Sequence, residues 1–187
     1  MALVNTDSVL PFLVPFLPGL PLPIAEQYLH RAMREFLMRV SLWREDITFD
    51  AEEDEDEYTL DTSGIGDDLA VHDVLKLTYD ENELDEAYYR HDSYKLILDS
   101  EITPSEDETD AFVATCHIVP TISCVLYPDY IFTRYTEAVA GLAGMLLAGQ
   151  EGKPWHSQAQ AKQFQLDYRR GLQRAMMALE EEETISG

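Results

Sequence analysis

The stretch YPDYIFTRYTEAVAGLAGMLLA, residues 127–148, places Ile131, Tyr135, Ala138, Val139, Leu142 and Leu146 at the spacing of one face of an α-helix. Pro128 suits the first turn, where a missing backbone N–H costs nothing. A second stripe of small residues, Ala140, Gly144 and Ala148, runs four apart beside the first. Glycine inside a helix costs ~1 kcal/mol relative to alanine, so Gly141 and Gly144 indicate that another backbone passes close by. That backbone belongs to the first helix or to another subunit. Gly149 and Gly152 end the helix, Lys153-Pro154-Trp155 makes the corner that follows, and Ser157 with Gln160 three residues on is a capping-box pattern. It opens a last helix on which Phe164, Tyr168, Leu172, Ala175, Met176 and Leu179 share a face.

Upstream, Ile24, Tyr28, Ala32, Phe36, Val40 and Trp43 recur at helical spacing and predict a first helix over residues 24–44. Arg31, Arg34, Arg39 and Arg44 fall on or beside its polar side, as a solvated face or a docking surface. Residues 1–23 carry Pro11, Pro15, Pro18, Pro21 and Pro23 in an apolar run, so no helix can span a bilayer there. No basic region precedes the run, as a signal peptide would require. It is expected as an extended arm, packed on its own subunit or on a neighbour.

Between the helices, over residues 45–121, the apolar period shifts from helical to alternating and turn residues come at short intervals. Strands are expected at Ile47 to Phe49, Glu57 to Asp61, Val71 to Tyr79, Tyr94 to Ser100 and Phe112 to Val119. From Asp50 to Glu57 only Ala51 is not acidic, which reads as a solvated loop or hairpin tip. A calcium loop would need a central glycine and alternating ligands, and this run has neither. Asp80 to Glu86 and Pro104 to Asp110 read as polar loops of the same kind. The expectation is therefore an α+β chain: a helical bundle of one N-terminal and two C-terminal helices, with a β-rich insert between the first and second. It forms a single domain over residues 1–187, with the two-helix part at 128–182 and a tail at 183–187.

Composition narrows the function. Thirty-six acidic against 13 basic side chains give a net charge of -23, so free nucleic acid and anionic membranes are repelled. Cys116 and Cys124 fit a reducing compartment without a disulfide framework. No phosphate loop, nucleophile elbow, Rossmann glycine pattern or zinc spacing occurs, and His30, His72, His91, His117 and His156 have no ligand spacing. No enzyme activity, metal or cofactor is expected.

Three passages together resemble the head-to-tail adaptor (connector, or neck) proteins of tailed phages. They are Ala32-Met33-Arg34-Glu35-Phe36 with Trp43, then Tyr127-Pro128-Asp129-Tyr130 after the β-rich insert, then Ala138 to Trp155 with its Gly152-Lys153-Pro154-Trp155 corner. They cover about half of the chain. The resemblance implies a structural virion protein made in the host cytoplasm and placed in the neck between capsid and tail. It implies a homo-oligomeric ring, typically a dodecamer, docked beneath the portal protein and joined on its other side to a downstream tail protein or a nozzle or stopper protein. Genome DNA would pass through without specific binding, since a negative channel wall repels phosphates.

Portal-docking candidates are then Glu180, Glu181, Glu182, Glu183 and Ile185. Subunit or core packing candidates are Trp43, Gly141, Gly144 and Trp155. Channel or loop candidates are Glu52, Glu53, Asp54, Glu55, Asp56 and Glu57. The alternatives are an acidic inhibitor that mimics DNA in the groove of a nucleic-acid enzyme, or a tail-completion or terminator protein.

Overall fold

The structure, a computed structural model, describes residues 2–92 and 94–186; for residues 182–186 it describes the backbone alone. The elements run β1 (Leu3–Val4), two 3-10 helices (Thr6–Phe12 and Val14–Phe16), α1 (Leu22–Arg39), β2 (Arg44–Ala51), β3 (Glu57–Thr59), β4 (Leu69–Tyr79) and β5 (Asn82–Glu83). A 3-10 turn (Glu86–Tyr88), β6 (Tyr89–Asp92), β7 (Lys95–Leu98), β8 (Glu108–Pro120), β9 (Tyr127–Pro128), α2 (Asp129–Ala148) and α3 (Gln158–Ser186) follow. The chain divides into two compact units, one of Met1–Leu42 with Ile122–Gly187, the other Trp43–Thr121.

The expected helical bundle with a single β-rich insert does not hold. The described residues form nine strands in three separate sheets, so the chain is α+β and largely strand-built, with a C-terminal helix pair. One of the sheets, β1 antiparallel to β9, belongs to the helical unit. The 43–121 segment is a unit with its own core: Leu77, Leu96, Phe112, Ala114, Cys116 and Ile118 are fully buried. That core is closed by a four-stranded sheet in the order β2-β8-β4-β5 and a three-stranded sheet in the order β3-β7-β6.

In the helical unit the apolar N-terminal run is not extended. It winds into the two 3-10 helices and buries Val9, Leu13 and Leu17. Proline fits there because these turns are short and several of their N–H groups lack an internal partner anyway. α1 ends at Arg39, earlier than expected, where β-branched Val40 takes extended backbone (φ -136°, ψ 125°). Its buried face is Ala25, Leu29, Ala32, Met33, Phe36 and Leu37, so Ile24 and Tyr28 lie at the edge of that face. The Tyr130 hydroxyl donates to the Leu42 carbonyl at 2.6 Å and fixes the chain leaving the helix.

α2 bends at Tyr135 (φ -128°, ψ 16°). The hydroxyls of Thr133 and Thr136 donate back to the Asp129 and Phe132 carbonyls, a competition with the backbone ladder that bends helices. Ser157 caps α3, its Oγ accepting the Gln160 N–H at 3.3 Å. The backbone of α3 stays helical to Ser186, where a tail was expected from 183.

Candidate functional site

Both Gly141 and Gly144 face α3, but the close backbone expected at the two is found at Gly141 alone, since Gly144 makes room for a side chain. A Cβ on Gly141 would come 2.7 Å from the Tyr168 nitrogen and 2.8 Å from the Phe164 carbonyl oxygen. One on Gly144 would meet the Phe164 ring at 2.6 Å. From the other side, a Cβ on Gly171 would stand 2.3 Å from Cβ of Ala138. Glycine is therefore required on both helices for this packing, and neither α1 nor a neighbouring subunit has to be invoked. Trp155 is buried in the corner between α2 and α3, with its indole Nε1 without a hydrogen-bond partner. Trp43 belongs to the strand-rich unit. Its Nε1 donates to Glu45 Oε1 at 3.0 Å, and its carbonyl accepts from the Ile118 N–H at 2.8 Å.

The charge is divided unequally. The strand-rich unit holds 25 Asp and Glu against 4 Lys and Arg, a net -21, while the helical unit holds 11 against 9, a net -2. Three acidic loops that look separate in the sequence are tied together at one end of the four-stranded sheet. The Glu53 N–H donates to Asp107 Oδ1 (2.8 Å) and the Asp110 N–H to Asp50 Oδ1 (2.8 Å). The Asp54 N–H donates to the Pro104 carbonyl (3.0 Å) and the Asp80 N–H to that of Ala111 (3.0 Å). Among the described residues the four non-glycine residues with positive φ, Asp54, Asp80, Glu81 and Asp110, all lie in these loops. Such backbone costs roughly 1–2 kcal/mol per residue and is tolerated best by Asp and Asn. Glu52, Glu53, Asp54, Glu55 and Asp56 are exposed there, whereas Glu57 is on β3 and pairs with Lys95 of β7.

Beneath this acidic end lies a row of aromatics that the sequence reading did not single out. Phe49, Phe112 and Tyr79 stand side by side on three paired strands. Phe112 stacks on Phe49 at 5.1 Å and on Tyr79 at 4.7 Å. Tyr58 leans on Phe49 and Phe112, and its hydroxyl accepts the Glu52 N–H and donates to the Glu55 carbonyl. Burial raises the pKa of Tyr58 and of Tyr79; the carboxylates of Glu52 and Glu55 add to the first, and those of Glu108, Asp80 and Glu106 to the second. Period-2 alternation was the available signal, since Phe49, Tyr79 and Phe112 each occupy a same-face position on their strand.

Glu180 and Glu181 are exposed on the last turns of α3; the side chains of Glu182, Glu183 and Ile185 lie outside the described residues, as does Gly187. Ala138 lies against Gly171 and Gly141 against Tyr168, so α2 and α3 run antiparallel at their crossing.

Among the described residues no group of three or more His, Cys, Asp or Glu is placed to hold a metal ion. Burial pushes the Cys116 thiol up to about 12, which leaves it protonated and unreactive at neutral pH. No described helix is long and apolar enough to cross a membrane. No protein-family model matches the chain, and no curated protein matches it.

Proposed function

We propose that the chain is a head-to-tail adaptor of a tailed-phage virion, a structural protein that forms a ring on the portal and joins it to the next tail component. The observation that carries this reading is the division of charge. One unit is nearly neutral, with a helix end exposed at Glu180 and Glu181, and suits docking; the other carries -21 and suits a surface along which DNA must slide without sticking. The docking end is the last turns of α3. Glutamates at a helix C-terminus oppose the macrodipole by ~0.3–1 kcal/mol each, a cost that cationic groups of a portal would offset.

The test is decoration of purified portal rings, imaged by electron microscopy, with the full chain and with a variant lacking residues 180–187. Full occupancy by the full chain and loss of occupancy by the variant is the expected result. No decoration by the full chain sinks the reading, and decoration unaffected by the truncation moves the contact elsewhere.

A second reading gains from the same structure. Carboxylates hydrogen-bonded into one end of a sheet come closer to the fixed array that a DNA mimic needs than the separate loops of the sequence suggested. Inhibition of a DNA-processing enzyme by the free protein at stoichiometric concentration, together with failure on portal rings, would select that function.

A further inference from the structure

Two adjoining clefts of about 410 and 370 Å³ open on the helical unit and share Phe12, Glu137, Asp167 and Arg170 in their walls. Their chemistry is unlike that of the rest of this acidic chain. Phe12 and Phe16 present their rings from the 3-10 helices at 45% and 51% exposure. Phe16 meets Phe164 edge-on at 6.2 Å, which holds its ring upright at the mouth of the first cleft. Arg170 and Arg174, one turn apart on α3, join Arg134 of α2 around the second cleft. All three arginines are exposed. Arg170 reaches Asp167 at 4.0 Å, and Arg134 and Arg174 make no ion pair among the described residues.

We propose that this surface is a docking site for an acidic peptide segment of a partner protein. An apolar side chain of the segment seats against Phe12 and Phe16, and its carboxylates meet the arginine fork of Arg134, Arg170 and Arg174. Charge complementarity selects this occupant, because a planar guanidinium pairs with a carboxylate through two parallel hydrogen bonds. Glu137 and Asp167 between the arginines are suited to accept N–H groups of the bound backbone. Rings and guanidinium groups also suit a single nucleic-acid strand, but its sugar-phosphate backbone has no N–H to offer Glu137 and Asp167 and would set phosphates against them, whereas a peptide brings N–H groups to that point. The site lies on the helical unit, and the proposal stands independently of any role in a virion.

The experiment is fluorescence anisotropy of the full chain with three labelled probes of about a dozen residues each. They are a glutamate-rich peptide with a central Leu-Trp pair, the same peptide with glutamine for glutamate, and oligothymidylate. The acidic peptide is expected to bind, and to weaken by about tenfold in Arg170→Glu/Arg174→Glu and as salt rises. Phe12→Ser is expected to weaken both peptides alike, with unchanged circular dichroism in each variant. Absence of binding by the acidic peptide, equal binding by its glutamine form, indifference to the arginine reversal, or tighter binding of oligothymidylate would each overturn the proposal.

Discussion

Gly171→Ala adds one methyl group where α3 crosses Ala138 of α2, and the new Cβ would lie 2.3 Å from Cβ of Ala138 and 3.1 Å from its Cα. Neither helix can yield cheaply, because Ala138 is buried at 1% exposure and the same crossing is held by Gly141 against the Tyr168 backbone. Overpacking of this kind costs ~3 kcal/mol, against which alanine's better helix propensity returns ~1, for a net loss of ~2 kcal/mol. Ala138→Gly alone loses ~1 kcal/mol of propensity and ~1 for the missing methyl. Together the two substitutions only move the methyl from one helix to the other, so the double variant should lie within ~1 kcal/mol of the parent. The coupling is then ~3 kcal/mol, where independent sites would add to a loss of ~4. Urea titrations followed at 222 nm, where the three long helices dominate, give all four free energies. A cycle that adds, or a Gly171→Ala protein more stable than the parent, would show that α2 and α3 do not pack at this spacing.

The -21 of the strand-rich unit predicts that its melting transition, followed by Trp43 emission in a Trp155→Phe background, rises by several degrees as sodium chloride shortens the Debye length from ~10 Å at 0.1 M to ~3 Å at 1 M. An equal shift at 222 nm would show that the effect is not confined to that unit. Trp155→Ala should cost ~3 kcal/mol or more, while Trp155→Phe, which also removes a buried N–H without a partner, should cost ~1. Melting temperatures that rank the two the other way would refute the orphaned indole. The Tyr127 hydroxyl donates to the Cys124 carbonyl, so His30 Nδ1, 2.8 Å away, must donate to it. Burial lowers the His30 pKa and Glu26 only partly opposes this. The unfolded chain therefore takes up the proton first as pH falls below about 6.5, and His30 removes stability from there down to its folded pKa. His30→Gln should flatten the difference in urea midpoint between pH 7.5 and 5.5, and an unchanged slope would refute the assignment.

Helical periodicity made the bounds of α2 and the start of α3 readable, since Ser157, Gln160 and the glycine stripe each have a local physical role, but the α3 face was misread at Met176, which is exposed, and the end of α3 was expected four residues early. α1 was readable as a helix but its face was read one residue off, because Ile24 and Tyr28 continue a helical stripe as well as Ala25 and Leu29 do. Each of the five expected strand segments contains a strand, yet β6, Tyr89-Arg90-His91-Asp92, lacked an apolar face by which to announce itself. Proline density suggested extension where short 3-10 turns accommodate it. The partition into three sheets, the joining of residues 50–57 with 104–110, and the placing of Phe12 and Arg170 in the walls of the same clefts all depend on the meeting of distant segments. No local pattern records them.

The chain has two tryptophans, and the structure gives one to each unit, Trp43 to the strand-rich unit and Trp155 to the helical one. Both are shielded from water, but the first indole nitrogen has a carboxylate partner and the second has none. Each unit thus carries its own intrinsic optical reporter. Replacing either tryptophan with phenylalanine leaves a protein whose emission follows one unit alone, so that the order in which the two units open can be read without a label.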